Sequence, residues 1–221
     1  MQLLYTAHVP PGDGPHPTIL ALHGWGASAH DLLGLAPVIQ GGGSMMLCPQ
    51  GPLGFEIGEG FLGFGWFELS AVRPPTAADI ERAGDEVRAF LDAAVARYPI
   101  DRRKIVVMGF SQGGVLAYDL VLRDPSRFAG LIALSSWLPK ELAESIPVQP
   151  GLENLPAFVA HGTRDPMIPI ARAQESRELL IKRGLALTYR EYDMEHGIAP
   201  EALRDLVEWL DSKVFRPILI A

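Results

Sequence analysis

The sequence predicts an α/β fold in which a mostly parallel, twisted sheet carries helices on both faces. Three observations predict it. The short apolar runs are continuous rather than alternating, as in strands that are buried on both faces. Helical segments separate these runs. No internal repeat or long linker divides the 221 residues, a length that fits one domain. We therefore expect residues 1–221 to form a single α/β domain.

Six short apolar runs, most of them rich in β-branched residues, are the predicted strands. They are Thr18–Leu22, Met45–Leu47, Lys104–Met108, Leu131–Leu134, Ala157–Ala160 and Leu187–Tyr192. Helical segments lie between most of these runs. A helix that connects two strands can cross over the sheet, so that the second strand starts at the same edge as the first. Neighbouring strands are therefore expected to run parallel.

The predicted helices carry recognisable start and stop signals. They are Thr76–Tyr98, Gln112–Arg123, Ile170–Arg183 and a last helix that has Pro200 in its first turn. Thr76 and Asp79 have the spacing of an N-terminal capping box. Gly184 suits the position just past a helix end, because glycine readily adopts a left-handed conformation.

Composition narrows the class of protein. Lysine and arginine number 19 against 26 aspartate and glutamate residues, which gives a net charge of −7. A polyanion would be repelled, so nucleic acid is not an expected partner. The segment Met1–Thr6 lacks the cationic and long apolar regions of a signal peptide. No apolar run reaches the roughly 20 residues that span a bilayer. We expect a cytoplasmic protein without stable membrane insertion, and its lone cysteine, Cys48, to be a core residue.

The chemistry concentrates in the sequence Gly109-Phe110-Ser111-Gln112-Gly113. This G-x-S-x-G pattern follows a predicted strand and opens a predicted helix, the context of the nucleophile elbow in the α/β-hydrolase fold. The turn is tight enough that glycine is expected on both sides of the serine. Ser111 is therefore the predicted nucleophile.

A serine hydroxyl needs a base, and the base needs an acid that orients it. In this fold the order along the chain is serine, acid, histidine. Only His161 and His196 follow Ser111. His161 closes a predicted strand and is expected to be structural. His196 lies between the last strand and the last helix, where a loop can present its imidazole, and it is the predicted base.

Asp165 is the predicted acid, because it directly follows the strand Ala157–Ala160 and so lies at the same sheet edge as Ser111. Asp193 and Glu195 are rivals, although side chains so close to His196 in sequence seldom have the reach to orient its ring. Asp165 could also form an Asx turn before Pro166, which is compatible with a catalytic role.

An oxyanion hole would complete the site. The amide of Gln112 lies at a helix N-terminus, where unpaired N–H groups favour negative charge. An early loop, Leu22-His23-Gly24-Trp25-Gly26, follows a buried strand and can approach the same point. We expect the amides of Trp25 and Gln112 to be the two donors, and His23 to be structural.

The segment Gly51–Trp66 interleaves six glycines with apolar residues, among them Phe61, Phe64 and Trp66. It is too apolar for a solvated connection and too glycine-rich for a regular element. We expect a lid or a pocket wall that contains these three rings. A surface loop, or a contact between the subunits of a homodimer, is the alternative.

Together these motifs resemble the phospholipase/carboxylesterase family, which includes bacterial carboxylesterases and acyl-protein thioesterases. The matching segments are Leu22–Gly26, Pro49–Pro52, Trp66–Leu69, Gly109–Gly114, His161–Asp165 and Glu195–Gly197. The resemblance implies the α/β-hydrolase fold, a triad of Ser111, Asp165 and His196, oxyanion donors at Trp25 and Gln112, and no metal or other cofactor. Glu68 departs from the family's Trp-Phe-Asp type of motif, which leaves the choice of substrate open.

The expected function is that of a serine carboxylesterase acting on short- to medium-chain, small-molecule esters through an acyl-enzyme. Acyl-protein thioesterase or lysophospholipase activity would use the same triad and stays an alternative. A non-catalytic binding module on this fold usually lacks a member of the triad. All three residues are present here, so that class is disfavoured.

Overall fold

The computed structural model describes residues 3–58, 60–70 and 74–215. The first two residues of the segment Met1–Thr6, Met1 and Gln2, lie outside the described residues. The strands are β1 (Tyr5–His8), β2 (His16–Leu22), β3 (Met45–Pro49), β4 (Leu53–Gly58), β5 (Phe61–Gly65), β6 (Ile100–Phe110), β7 (Gly130–Leu134), β8 (Pro156–Gly162) and β9 (Ala186–Tyr192). The α-helices are α1 (Ala77–Arg97), α2 (Gln112–Arg123), α3 (Lys140–Ser145), α4 (Ile170–Lys182) and α5 (Pro200–Trp209). All six predicted strands lie within observed ones.

Seven strands form the main sheet in the order β1-β3-β2-β6-β7-β8-β9. Every neighbouring pair is parallel except β1 and β3, which are antiparallel. The predicted, mostly parallel sheet is therefore confirmed. Strand β6 lies at the centre, and β7 and β8 follow it, so the residues after these three strands meet at one edge of the sheet.

Both faces of the sheet are covered, as the continuous apolar runs predict. On one face Leu20, Val107 and Leu131 pack in a cluster that includes residues of α1, α2, α3 and α4. On the other face Ile19 and Val106 belong to a cluster that includes residues of α5. The α/β class of the fold is confirmed.

The predicted helix signals are present. The Thr76 side chain accepts a hydrogen bond from the Asp79 amide, and Asp79 accepts one from the Thr76 amide in return. Gly184 follows α4 with a φ of +87°. Pro200 is the first residue of α5. Among the described residues, no helix combines the length and the apolar character that crossing a bilayer requires.

The expectation that Gly51–Trp66 contains no regular element is wrong. Strands β4 and β5 pair antiparallel as a two-stranded sheet apart from the main one. A Cβ at Gly65 would overlap the indole ring of Trp25, so glycine here lets the hairpin lie flat on that ring. Frequent glycine usually indicates irregular backbone, but in this hairpin it permits close packing. Strand β1 and helix α3 were not predicted, because four and six residues are too short for a periodic signal.

Candidate active site

Ser111 lies between the end of β6 and the start of α2 with φ +52° and ψ −116°. This is a conformation that non-glycine residues rarely adopt, and it costs on the order of 1–3 kcal/mol. Its amide donates to the carbonyl of Leu134 at 2.9 Å, and its own carbonyl accepts from the Ser136 hydroxyl at 2.7 Å. These two hydrogen bonds, one with backbone and one with a side chain, therefore stabilise the strained turn that the G-x-S-x-G pattern predicts.

The glycines on either side of Ser111 are required by close approach. A Cβ at Gly113 would overlap the carbonyl of Leu22, and one at Gly109 would overlap the carbonyl of Gly113. No flexible side chain could move aside, because both obstacles are backbone atoms. The expected need for glycine at both positions is confirmed.

Asp165 and His196 meet beside this turn. Nδ1 of His196 lies 2.7 Å from Oδ2 of Asp165, although the two residues are 31 positions apart. The Asp165 carboxylate is fully buried, whereas 18% of the His196 side chain is exposed. The His196 ring also packs on Phe110, the residue before Ser111, with ring centroids 5.0 Å apart. The fold thus pairs His196 with Asp165 and places the His196 ring against the residue that precedes Ser111.

The pKa of Asp165 lies below its ordinary value. Burial of the carboxyl group would raise this pKa, but hydrogen bonds from the Ile168 amide and from His196 oppose it. The charge of His196 and a bond from the Met167 amide lower the pKa further. The bond from Met167, at 2.8 Å, also closes the Asx turn that the sequence allowed. The acid is therefore held ionised and fixed in orientation.

The rival acids lie elsewhere. The Asp193 side chain is 84% exposed and pairs with Arg164 at 2.6 Å, and Glu195 is exposed. His161 is buried at the end of β8, where its Nε2 lies 2.8 Å from the carbonyl of Ile168 and 3.5 Å from Oδ2 of Asp165. It supports the Asp165 loop, as expected of a structural residue.

The early loop approaches the elbow closely. A Cβ at Gly24 would lie 3.3 Å from the Cβ of Ser111. Gly24 is thus very close to Ser111, and the amide of Trp25 is the next backbone N–H group along the loop. The Gln112 amide is the first of α2 and has no partner within the helix. The backbone that carries both predicted oxyanion donors therefore lies close to Ser111.

The side chain of Gln112, which is buried, has a separate role. Its oxygen accepts from the Trp66 amide at 2.9 Å, and its nitrogen donates to the carbonyl of Phe67 at 2.6 Å. His23 is fixed similarly: its Nε2 accepts from the Gly51 amide at 2.9 Å and its carbonyl accepts from the Trp66 indole at 2.9 Å. Burial lowers the pKa of His23. These bonds fasten both ends of the hairpin segment to the site.

A cavity of about 810 Å³ has walls that include Trp25, Phe55, Trp66 and Leu69, whereas Ser111, Asp165 and His196 do not line it. Trp25 and Phe55 stack with ring centroids 4.2 Å apart. Of the three rings assigned to a pocket, Trp66 lines this cavity and is 3% exposed. Phe61 is 71% exposed on β5, and Phe64 is half-buried there, its backbone bonded to Gly26 and Ala27.

Ser135 and Ser136 were missed by the sequence analysis. Both are buried at the end of β7, the strand next to β6 in the sheet. Ser136 contacts Ser111 as described above, and the Ser135 hydroxyl donates to the carbonyl of Gly197 at 2.9 Å. The sequence did offer a signal for them, because two adjacent polar residues directly follow a buried strand at the sheet edge where Ser111 lies.

Within residues 3–58, 60–70 and 74–215, no three histidine, cysteine, aspartate or glutamate residues are grouped so that they could hold a metal ion. A hydroxyl, an imidazole with one nitrogen held by a carboxylate, and two backbone amides beside the hydroxyl are the parts required for acyl transfer.

The sequence model of a family described as Phospholipase/Carboxylesterase matches residues 5–214. Acyl-protein thioesterase 1 of Mycosarcoma maydis is 28% identical over 238 residues, covering 97% of this chain and 99% of that protein. Among solved structures, esterase PE8 superposes with a TM-score of 0.82 at 25% identity, covering 96% of this chain and 100% of the other. The Bacillus cereus carboxylesterase superposes with a TM-score of 0.78 at 25% identity, covering 91% of each chain.

Proposed function

The chain belongs to the phospholipase/carboxylesterase family of carboxylic ester hydrolases, and on this premise we propose that it is a serine carboxylesterase for short- to medium-chain esters. Ser111 is the nucleophile, His196 the base and Asp165 the acid. The observation that carries the proposal is the 2.7 Å contact between His196 and Asp165 beside a serine held at φ +52°.

The proposed reaction begins with proton transfer from Ser111 to His196. Because Nδ1 of His196 donates its proton to Asp165, the lone pair of Nε2 is free to accept the serine proton. The Ser111 oxygen attacks the ester carbonyl, and the amides of Trp25 and Gln112 stabilise the oxyanion, about 2.7–4 kcal/mol for each donor. His196 then protonates the departing alcohol. Water, activated by the same imidazole, releases the acid from the acyl-enzyme.

Hydrolysis is expected to increase with pH and then level off, because a general base can accept the serine proton only in its unprotonated form. The lowered pKa of Asp165 keeps this carboxylate ionised as the pH falls toward its ordinary value. The check is kcat/KM for p-nitrophenyl butyrate against pH, repeated with EDTA, which should change nothing. A flat profile with chemistry rate-limiting would contradict His196 as base.

The same lowered pKa has a consequence for stability. A carboxyl group with a folded-state pKa below its ordinary value of 3.8 stabilises the native state above that pH, and the contribution is lost as the pH falls further. Loss of activity at a pH above this value should therefore be reversible and occur without unfolding, which near-UV circular dichroism can verify.

The acyl-chain preference should reveal a closed pocket. An open groove would raise kcat/KM about 4-fold for each methylene, from roughly 0.8 kcal/mol of burial. We expect instead an optimum between butyrate and octanoate, because in this proposal the acyl chain enters the cavity that Trp25, Phe55 and Trp66 line, and these rings end the space available to it. The measurement is kcat/KM for p-nitrophenyl esters from acetate to palmitate.

Two variants test which side chain limits the length of the acyl chain that the pocket accepts. Phe55→Ala should move the optimum to longer chains, whereas Phe61→Ala, which removes a ring that is 71% exposed, is the matched control from the same hairpin. If Phe55→Ala leaves the profile unchanged, the hairpin is not the wall of the acyl pocket. A shift in Phe61→Ala would mean that its exposed ring closes over bound substrate.

Thioester hydrolysis is the second candidate, and the 28% identity to a protein named acyl-protein thioesterase 1 supports it. An octanoyl thioester assayed with a thiol-reactive dye separates the two activities. Cys48 should not interfere with the dye, because burial raises the pKa of its thiol to about 12. A kcat/KM for the thioester well above that for the matching oxygen ester would favour the thioesterase assignment.

A further inference from the structure

The turn after β7 holds a second strained residue. Ser135 has a φ of +45° and its side chain is fully buried. Left-handed backbone is costly for serine, so the surrounding contacts must maintain it. The Ser135 amide donates to the carbonyl of Ala160 at 2.9 Å, which binds the turn to β8. Strain of this kind, directly beside a reactive serine, points to a positional requirement.

The Ser135 hydroxyl connects this turn to the histidine loop. It donates to the carbonyl of Gly197, the residue after His196, at 2.9 Å across a separation of 62 residues. Packing does not replace this bond, because a Cβ built at Gly197 meets no atom within 4 Å. His196 and Ile198 on either side pack on Phe110 and on the core, so at Gly197 itself the loop is held by this hydrogen bond.

The same turn also fixes the nucleophile. The carbonyl of Leu134 accepts from the Ser111 amide, and the Ser136 hydroxyl donates to the Ser111 carbonyl. Three consecutive residues thus bond to both backbone groups of Ser111 and to the residue beside His196. A rigid connection of this type sets the distance and angle between nucleophile and base.

We propose that Ser135 is a positioning residue that, through Gly197, holds the His196 imidazole in line with Ser111. The inference rests on the proposed function, because it assumes that His196 is the base. Removal of the hydroxyl leaves the bond between His196 and Asp165 intact, so the ring stays paired while its Nε2 loses its alignment. A displacement of about 1 Å can cost on the order of 100-fold in rate.

Two variants separate positioning from stability. Ser135→Ala and Ser135→Gly both remove the hydroxyl, but only glycine relieves the positive φ. We expect kcat for p-nitrophenyl butyrate to fall about 10- to 100-fold in both, with KM changed less than about 2-fold, whereas the glycine variant unfolds at the higher temperature. The proposal would be overturned if kcat changed in parallel with the unfolding temperature, so that Ser135→Gly had a kcat close to that of the wild type.

Thr18→Val is the matched control, because it also deletes a fully buried hydroxyl that donates to a backbone carbonyl, here of His16 near the start of β2. This variant should lose stability and keep its kcat. An equal loss of kcat would show that deleting any buried hydroxyl slows turnover, and would also overturn the proposal.

The decisive arm combines Ser135→Gly with His196→Ala. If Ser135 acts through the imidazole, Ser135→Gly causes no further loss in the residual turnover of His196→Ala. A further loss by the same factor as in the wild type would show that it acts on Ser111 or on the fold instead. Full activity of His196→Ala alone would overturn the proposed function, whereas an inactive His196→Ala with an unaffected Ser135→Gly overturns only this inference.

Discussion

Replacement of Ser111 by alanine is expected to lower kcat for p-nitrophenyl butyrate by about 10⁵- to 10⁶-fold, because members of a triad act as a unit and the nucleophile cannot be substituted. The fold should be retained. The contacts that stabilise the turn, to Leu134 and from Ser136, involve the Ser111 backbone alone, and alanine tolerates φ +52° no worse than serine does.

The measurement is steady-state turnover with a purified variant, together with its thermal unfolding curve. Ser126→Ala is a suitable control, since its hydroxyl bonds the Asp124 carboxylate on the exposed surface and its loss should leave kcat unchanged. Retention of more than a small fraction of activity in Ser111→Ala, with contamination excluded, would remove Ser111 from the reaction.

Asp165→Asn is expected to lower kcat by about 10⁴-fold. The amides of Met167 and Ile168 donate to Oδ1, so the oxygen of the new amide group has to remain there. Its NH₂ group then points at Nδ1 of His196 and can only donate to it. The imidazole is forced into the tautomer that carries its proton on Nε2, and that tautomer cannot accept the proton of Ser111.

Asp193→Asn is the matched control for this change, since Asp193 is the rival acid and pairs with Arg164. Its effect on kcat should be less than about 2-fold, as expected for an exposed ion pair. The opposite pattern, with Asp193→Asn inactive and Asp165→Asn active, would assign the acid to the other carboxylate.

The central parts of the site were predictable because each depends on local constraints. The turn at Ser111 requires glycine on both sides, a preceding strand and a following helix, and all three are legible in the sequence. His196 and Asp165 could be selected because parallel strands deliver the residues that follow them to one edge of the sheet. The order along the chain then left only two histidines to consider.

Other parts depend on contacts that no local pattern reports. The hairpin of β4 and β5 was not predicted, because frequent glycine suggested irregular backbone, whereas Gly65 is needed for packing on Trp25 and Gly63 for packing on Gly26. The bond from Ser135 to Gly197 joins residues 62 positions apart, and serine is common in turns of every kind, so its presence after a strand does not indicate a distant partner. Exposure of Phe61 was equally inaccessible, because the direction of a side chain in a hairpin depends on register.

The most direct test of the proposed nucleophile is the site of covalent labelling by a fluorophosphonate, which reacts with serine only where a neighbouring base activates the hydroxyl. Peptide mapping of the native protein should find a single adduct, on Ser111, with no adduct in Ser111→Ala and slow formation in Asp165→Asn. An adduct on any other residue, or undiminished ester hydrolysis after Ser111 is fully labelled, would contradict the assignment of Ser111 as the nucleophile.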